Sequence, residues 1–191
     1  MAEQIKDGKG TGKLAHVNED NQLVTRAISV EQRLKATIDG NYYEATTGKV
    51  TLTNATETGL IYLKNSHATK VMVIDRVFWD IWASTGGSGG GTLRYYKDVT
   101  VTGGTAITPN ITLYGQPDAA TGTFLKSVTT ISGTEWWTGF IEASTSIALD
   151  EGRIILPANA THLISAAAPT GNTSMDISIN VAFYYFNTDL V

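Results

Sequence analysis

The stretch MDISINVAFYYF, residues 175–186, decides the fold class of this chain. Apolar and polar side chains alternate as far as Val181, and a period of two is that of a β-strand with one buried face. The residues at 183–186 are all aromatic, and aromatic side chains favour strands. We therefore expect a long strand in the interior of a sheet.

A second long strand is predicted at residues 71–82, VMVIDRVFWDIW. In its second half one face carries Arg76, Phe78, Asp80 and Trp82, and the opposite face carries Val77, Trp79 and Ile81. The second face is entirely apolar, so we expect it to lie in the core of the protein.

Shorter segments of strand-like composition recur between turn signals along the rest of the chain. They are residues 49–53, 60–64, 92–101, 107–114, 124–131, 136–141, 146–149, 153–156 and 162–166. The best helical pattern, residues 30–36, is long enough for only about two turns. The sequence thus predicts an all-β chain that forms an antiparallel β-sandwich and, among sandwiches, a jelly roll.

Charged residues are concentrated at the beginning of the chain. Of 32 charged residues, 13 lie within the first 44, whereas the remainder is rich in Val, Ile, Thr and aromatic residues. This division predicts an extended N-terminal arm at residues 1–44 and a compact β body at residues 45–191. An alternative is that residues 14–30 form the first hairpin of the body.

The bulk properties argue against several classes of partner and site. The net charge of −4 and the pI near 5.3 disfavour a nucleic-acid partner, because phosphate binding needs a basic surface. The chain has no cysteine, which rules out disulfides, thiolate metal sites and cysteine nucleophiles. No apolar run approaches the roughly 18–20 residues of a membrane span, so no membrane partner is predicted.

Two strings resemble catalytic motifs without meeting their requirements. The glycine-rich segment 8–13 lacks the spacing of a phosphate-binding loop, and Leu14 stands where that motif needs Ser or Thr. Residues 86–90, GGSGG, match the letters of a nucleophile elbow, which needs a helix after it. Because a strand is predicted there instead, we interpret this segment as a hairpin tip.

Candidate metal ligands and acid–base groups are scattered. The chain has three histidines, which are His16, His67 and His162. Their spacing is not that of a metal-binding motif, so isolated histidines are favoured over a shared site. Carboxylates of the kind used in glycoside hydrolysis are present at Glu135, Glu142, Asp150 and Glu151. We predict a protein that is not an enzyme and that uses no metal or cofactor.

Adjacent aromatic residues are the one feature open to a binding role. Because neighbouring side chains on a strand point to opposite faces, one member of the pair Trp136 and Trp137 is expected to face outward. An outward Trp can anchor a protein interface or stack on a sugar ring. We favour a core position or a subunit interface for this pair over sugar binding.

The N-terminal segment DGKGTGKLAHVNEDNQL, residues 7–23, has the pattern D-G-x-G-x-G-K-x-A-x-V followed by N-Q-L. This pattern resembles the N-terminal segment of virion structural proteins of tailed bacteriophages, and the resemblance covers about the first 30 residues. There it precedes β-rich bodies that sit on the capsid or in the head and tail assembly. The resemblance implies a structural role in a virion.

Within that group we predict a capsid decoration, or cement, protein that stabilises the head by clamping adjacent subunits of the major capsid protein. The resemblance further implies a homotrimer on the capsid surface that contacts other virion proteins and is made in the host cytoplasm. The residues predicted to bind partners are Ile5, Leu14, Val17, Leu23 and Val24 of the arm, with Trp136 and Trp137 of the body.

Two alternatives stay open. One is a carbohydrate-binding module of a phage fibre or tail, which would use exposed aromatic side chains to stack on host glycans. The other is a tail-tube, collar or head-completion component, which shares the structural role and differs in its location.

Overall fold

The computed structural model describes three short strands at residues 5–6, 14–17 and 23–24, and then residues 32–53, 56–85, 91–113, 115, 120–141, 147–149, 154–171 and 174–187. Two units make up the chain, Met1–Glu31 and Gln32–Val191.

The first unit contains an antiparallel sheet of short strands. β1 (Ile5–Lys6) pairs with β2 (Leu14–Val17), and β2 pairs with β3 (Leu23–Val24). All five predicted arm residues fall on these strands, but their side chains lie outside the described residues.

The second unit contains a short helix and a series of strands. They are α1 (Gln32–Ile38), β4 (Tyr42–Thr46), β5 (Val50–Thr53), β6 (Glu57–Asn65), β7 (Lys70–Thr85), β8 (Gly91–Ala106), β9 (Asn110–Ile111), β10 (Gly122–Ile141), β11 (Ile147–Leu149), β12 (Ile154–Leu156), β13 (Thr161–Ala167) and β14 (Ser174–Asn187). Residues 32–44, which the charge distribution assigned to the arm, contribute α1 and part of β4 to this unit. Tyr42 and Tyr43 are buried there.

One sheet, the wide sheet, has the order β11-β7-β14-β4-β9, with β12 also on β7 and β5 also on β14. β14 lies inside it, with β7 on one edge and both β4 and β5 on the other. The alternating stretch 175–186 is therefore an interior strand, as its pattern predicts. Between β4 and β5 the Thr47 backbone N–H donates to the Ile179 carbonyl (2.9 Å), and the Thr47 hydroxyl accepts from the Ile179 N–H (3.0 Å).

The other sheet, the barrel sheet, closes on itself in the order β10-β6-β13-β8. Its narrow interior is filled by Tyr62, Val99, Val128 and Leu163. Gly59 of β6 lies opposite Val128 of β10, and a Cβ at this glycine would lie 2.1 Å from the Val128 Cγ2 atom. The absence of a side chain at Gly59 therefore lets β6 and β10 approach closely enough to close the barrel.

The main core lies between the two sheets, which pack against each other. Leu52, Met72 and Ile74 come from the wide sheet, and Ile61 and Ile164 come from the barrel sheet. The predicted core face of residues 77–81 is confirmed, because its first two apolar residues are buried and the third packs against the same cluster. An antiparallel all-β sandwich is thus confirmed.

Two local predictions are wrong. Residues 124–131 and 136–141 form one continuous strand, β10, because the chain passes residues 132–135 through register shifts and not through a turn. Residues 86–90 do not close a hairpin, because β7 belongs to the wide sheet and β8 to the barrel sheet. The GGSGG segment itself lies outside the described residues.

Candidate binding groove

A groove opens beside Trp136 where β12 of the wide sheet approaches β8, β10 and β13 of the barrel sheet. Its volume is about 390 Å³. It is lined by Lys97 and Asp98 of β8, by Trp136 of β10, and by residues 154–157 and 160–162. Both sheets therefore contribute walls to this groove, which we call the Trp136 groove.

A β-bulge on β10 positions Trp136. Glu135 pairs with Tyr96 and Trp137 pairs with Tyr95, so Trp136 is an extra residue between two consecutive pairs. A bulge places two residues of one strand opposite a single residue of its partner. Both indole rings contact the Tyr95 ring, at centroid distances of 5.7 Å for Trp136 and 4.9 Å for Trp137. The bulge interrupts the regular alternation of side chains here, but one member of the pair still faces outward, as expected.

The two tryptophans differ in exposure. Trp136 is 46% exposed and lines the groove. Trp137 packs against the main core, and its ring covers Gly139, where a Cβ would lie 2.4 Å from an indole carbon. Trp136 is thus available to a partner, whereas Trp137 is a packing residue.

His162 lies at the floor of the groove and is only 2% exposed. Its imidazole is edge-on to Tyr95, with ring centroids 5.4 Å apart, and 6.1 Å from the ring of Trp136. Burial lowers the pKa of His162 to about 4, and a hydrogen bond to the backbone of Tyr96 opposes this shift only in part. The imidazole is therefore neutral at pH 7, and its Nε2 atom has no hydrogen-bond partner among the described residues.

The rim of the groove combines apolar surface with two opposite charges. Ile155 is 55% exposed, although it belongs to a strand of the wide sheet. Lys97 and Asp98 are both exposed and adjacent in sequence. Asp98 has a φ of 55°, a left-handed conformation that Asp tolerates better than most residues. The charges at the rim cancel, so the groove offers no net charge to a ligand.

A second polar group, the Glu57 cluster, comprises Glu57, Arg94, Tyr96, Glu135 and Ser165. Glu57 Oε1 accepts hydrogen bonds from the hydroxyls of Tyr96 (2.8 Å) and Ser165, and Glu57 Oε2 lies 3.0 Å from Arg94 Nη1. Glu135 Oε2 lies 3.6 Å from Arg94 Nε. Desolvation and the carboxylate of Glu57 raise the pKa of Tyr96 to about 12, so its hydroxyl stays a donor. The cluster joins all the strands of the barrel sheet.

Of the candidate acid–base groups from the sequence, Glu135 lies within the described residues. Glu135 meets Glu57, but Arg94 and the Tyr96 hydroxyl contact both carboxylates, so these contacts neutralise and fix them. The carboxylates at 142, 150 and 151 lie outside the described residues. In the described part of the chain, no group of three or more histidine or acidic side chains is placed to hold a metal.

Sequence reasoning missed three residues of these two sites. His162 shares its strand face with Ile164 and Ala166, which are buried, and this parity alone predicts a buried imidazole. Nothing in the sequence indicates that Ile155 is exposed, because a single apolar residue in a short strand is expected to be buried. Nothing in the sequence indicates the Glu57 cluster either, because the partners of Glu57 come from strands far away in the sequence.

Comparison with protein-family models, with curated proteins and with solved structures finds no significant match to this chain. Within the described residues, no helix has the length and apolar character needed to cross a membrane.

Proposed function

We propose that this protein is a non-enzymatic structural component of a tailed-phage virion and that it decorates the capsid as a cement protein. The observation that carries the proposal is the order of strands in the two sheets, joined to the resemblance of residues 7–23 to phage virion proteins.

The strand order supports a jelly roll. Both β4 and β5 pair with the same edge of β14, and both β11 and β12 pair with the same edge of β7. Each of these two pairs therefore counts as one interrupted strand. With the very short β9 left aside, the strands can be numbered one to eight in chain order. The wide sheet then reads sixth-third-eighth-first, and the barrel sheet reads fifth-second-seventh-fourth. Two interleaved Greek keys of this kind make a jelly roll, an architecture of viral capsid proteins and of lectins.

A fold shared by capsid proteins and lectins does not choose between their functions. The N-terminal resemblance favours the function of a virion protein over that of a lectin. The residues that carry it lie in the unit Met1–Glu31, which has its own short paired strands.

In the proposed cement protein the two units bind different partners. The N-terminal unit binds neighbouring capsid subunits through the apolar residues of β1, β2 and β3. The body contacts other copies of itself, or the major capsid protein, through large apolar side chains that are exposed: Trp136, Phe140 at 84%, and Ile155. Large exposed apolar groups are typical of interfaces. Many copies on one shell act together, so weak single contacts suffice.

The first test measures mass and capsid binding. Light scattering on the purified chain is expected to give a trimer, and the protein should sediment with shells assembled from the major capsid protein of the same genome. A monomer that stays in the supernatant would contradict the cement role. Binding to purified tails but not to heads would move the proposal to a tail or collar component.

The second test separates the two units. A chain lacking residues 1–31 should stay folded and lose at least tenfold in affinity for shells, because the clamp is gone. Trp136→Ala should weaken trimerisation, whereas Thr134→Ala, an exposed position on the same strand, should not. Shell binding that survives the truncation would show that the N-terminal unit is not the clamp.

A further inference from the structure

We propose that the Trp136 groove binds a neutral saccharide, with a sugar ring packed against the indole of Trp136 and a sugar hydroxyl donating to Nε2 of His162. This proposal does not rest on the virion role, but its site uses Trp136 and Ile155, which the subunit contact proposed above also uses, so sugar and a second copy compete for this groove.

The size and lining of the groove fit a small ligand. At about 390 Å³ it falls within the roughly 300–1,000 Å³ of small-molecule sites. Its walls are apolar at Ile154 and Ile155, and at Leu156 and Pro157, while polar groups are few. An apolar cleft with a small number of placed polar groups is the usual form of such sites.

His162 supplies the polar group at the floor of the groove. A hydrogen bond that favours the charged imidazole is one that the ring donates, so the bond to the Tyr96 backbone uses the single N–H of the neutral ring. The other ring nitrogen, Nε2, then carries a lone pair. This atom is buried without a partner, which is costly unless a donor arrives. A ligand hydroxyl is such a donor.

Trp136 supplies the aromatic wall. Its ring is tilted by 44° to the imidazole of His162 and is 46% exposed, so it both covers the histidine and faces the open groove. The apolar C–H face of a sugar ring packs on aromatic rings, and the hydroxyls at its edge remain free to donate. Because Nε2 is buried when the groove is empty, the indole has to shift for the hydroxyl to reach it. Binding therefore changes the surroundings of Trp136.

The charges at the rim define the class of sugar. Lys97 and Asp98 oppose each other, so an acidic or a basic sugar gains from one and is repelled by the other. The rim therefore gives a charged sugar no net attraction to offset the desolvation of its charge, a cost that a neutral sugar does not have.

The experiment is a titration of the full chain with glucose, galactose, N-acetylglucosamine and their neutral disaccharides, followed by tryptophan fluorescence and by NMR of the His162 ring. At least one sugar should change both signals, and glucuronate should bind at least tenfold more weakly. By calorimetry, Trp136→Ala and His162→Leu should each lose about tenfold in affinity. The control Trp137→Phe, which lies outside the groove lining, should bind like the wild type.

The proposal is overturned if no neutral sugar shifts the His162 ring signals of the wild type, a result that does not depend on how the variants fold. It is also overturned if affinity is unchanged in Trp136→Ala, or if glucuronate binds as tightly as the neutral sugars. If the tryptophan fluorescence and the His162 ring signals change with protein concentration but not with sugar, the proposal is overturned and the groove is a contact between two copies of the chain.

Discussion

His162 shows at the level of one residue how burial turns a common side chain into a pH-dependent element. The ring is enclosed between Tyr95 and Trp136, and burial holds its folded-state pKa at about 4, below the ordinary value of 6.5. The unfolded chain therefore takes up a proton at a pH where the folded chain does not. Stability must fall as the pH drops from 6.5 towards 4 and level off below that range.

We predict that this single group costs about 3 kcal/mol of unfolding free energy between pH 6.5 and pH 4. Carboxylates titrate in the same range, so the measurement compares the wild type with His162→Gln by chemical denaturation at each pH. The pH dependence of the wild type should be steeper by that amount. Parallel curves for the two proteins would show that the imidazole takes up its proton at the same pH in the folded protein as in the unfolded chain.

Gly59 makes the other residue-level argument, since its lack of a Cβ permits the barrel to close. Gly59→Ala should cost about 1–3 kcal/mol, because Val128 is β-branched and cannot turn away easily. The cost should be smaller when Val128→Ala is already present, because that change makes room for the new methyl group. Denaturant unfolding of both single variants and the double variant measures the coupling; strictly additive costs would place the clash elsewhere.

At the scale of elements, the helix α1 depends on the sheet beneath it. A helix of 7 residues is marginal on its own, and α1 carries two exposed apolar residues, Leu34 and Ile38. Ala36 packs on Tyr42 and Tyr184 of the wide sheet. The carboxylate of Asp75, 5% exposed, accepts from the Tyr42 hydroxyl (2.7 Å) and lies 3.2 Å from Arg33 Nε.

We expect Asp75→Asn to destabilise the protein by about 1–3 kcal/mol, since it removes the charge that Arg33 and Arg76 share. The matched control is Asp39→Asn, which removes an exposed ion pair between Lys35 of α1 and the residue just after that helix, and which should cost less than about 0.5 kcal/mol. Equal effects of the two variants in denaturant unfolding would show that Asp75 does not hold the helix.

At the scale of the whole molecule, both sheets and their cores lie within residues 32–191. Removing residues 1–31 should therefore change the free energy of unfolding by less than about 1 kcal/mol, because no described core residue is lost. Circular dichroism and denaturant unfolding of the truncated chain test this directly. A large loss of stability would mean that the N-terminal unit is part of the body's core and would remove the basis for treating it as a separate clamp.

Much of the fold was predictable from local pattern. The alternation at 175–181 and the apolar face at 77–81 identified an interior strand and a core face, because a period of two assigns side chains to faces wherever a strand is regular. The same rule predicted that one of Trp136 and Trp137 faces outward, but it did not predict the bulge that inserts Trp136 into the strand. Whether a bulge forms depends on the partner strand, and the local sequence does not contain that information.

The sequence by itself determined the fold class, the position of the strands β7 and β14 and the core face of β7, because these follow from the periodicity and composition of neighbouring residues. The tertiary structure alone decided three things: the closure of one sheet into a barrel, the joining of Glu57, Arg94 and Glu135, and the meeting of Trp136, His162 and Ile155 in one groove. Each of these joins residues that are far apart in sequence. Their contacts arise from the order in which strands pair, and no local pattern encodes that order.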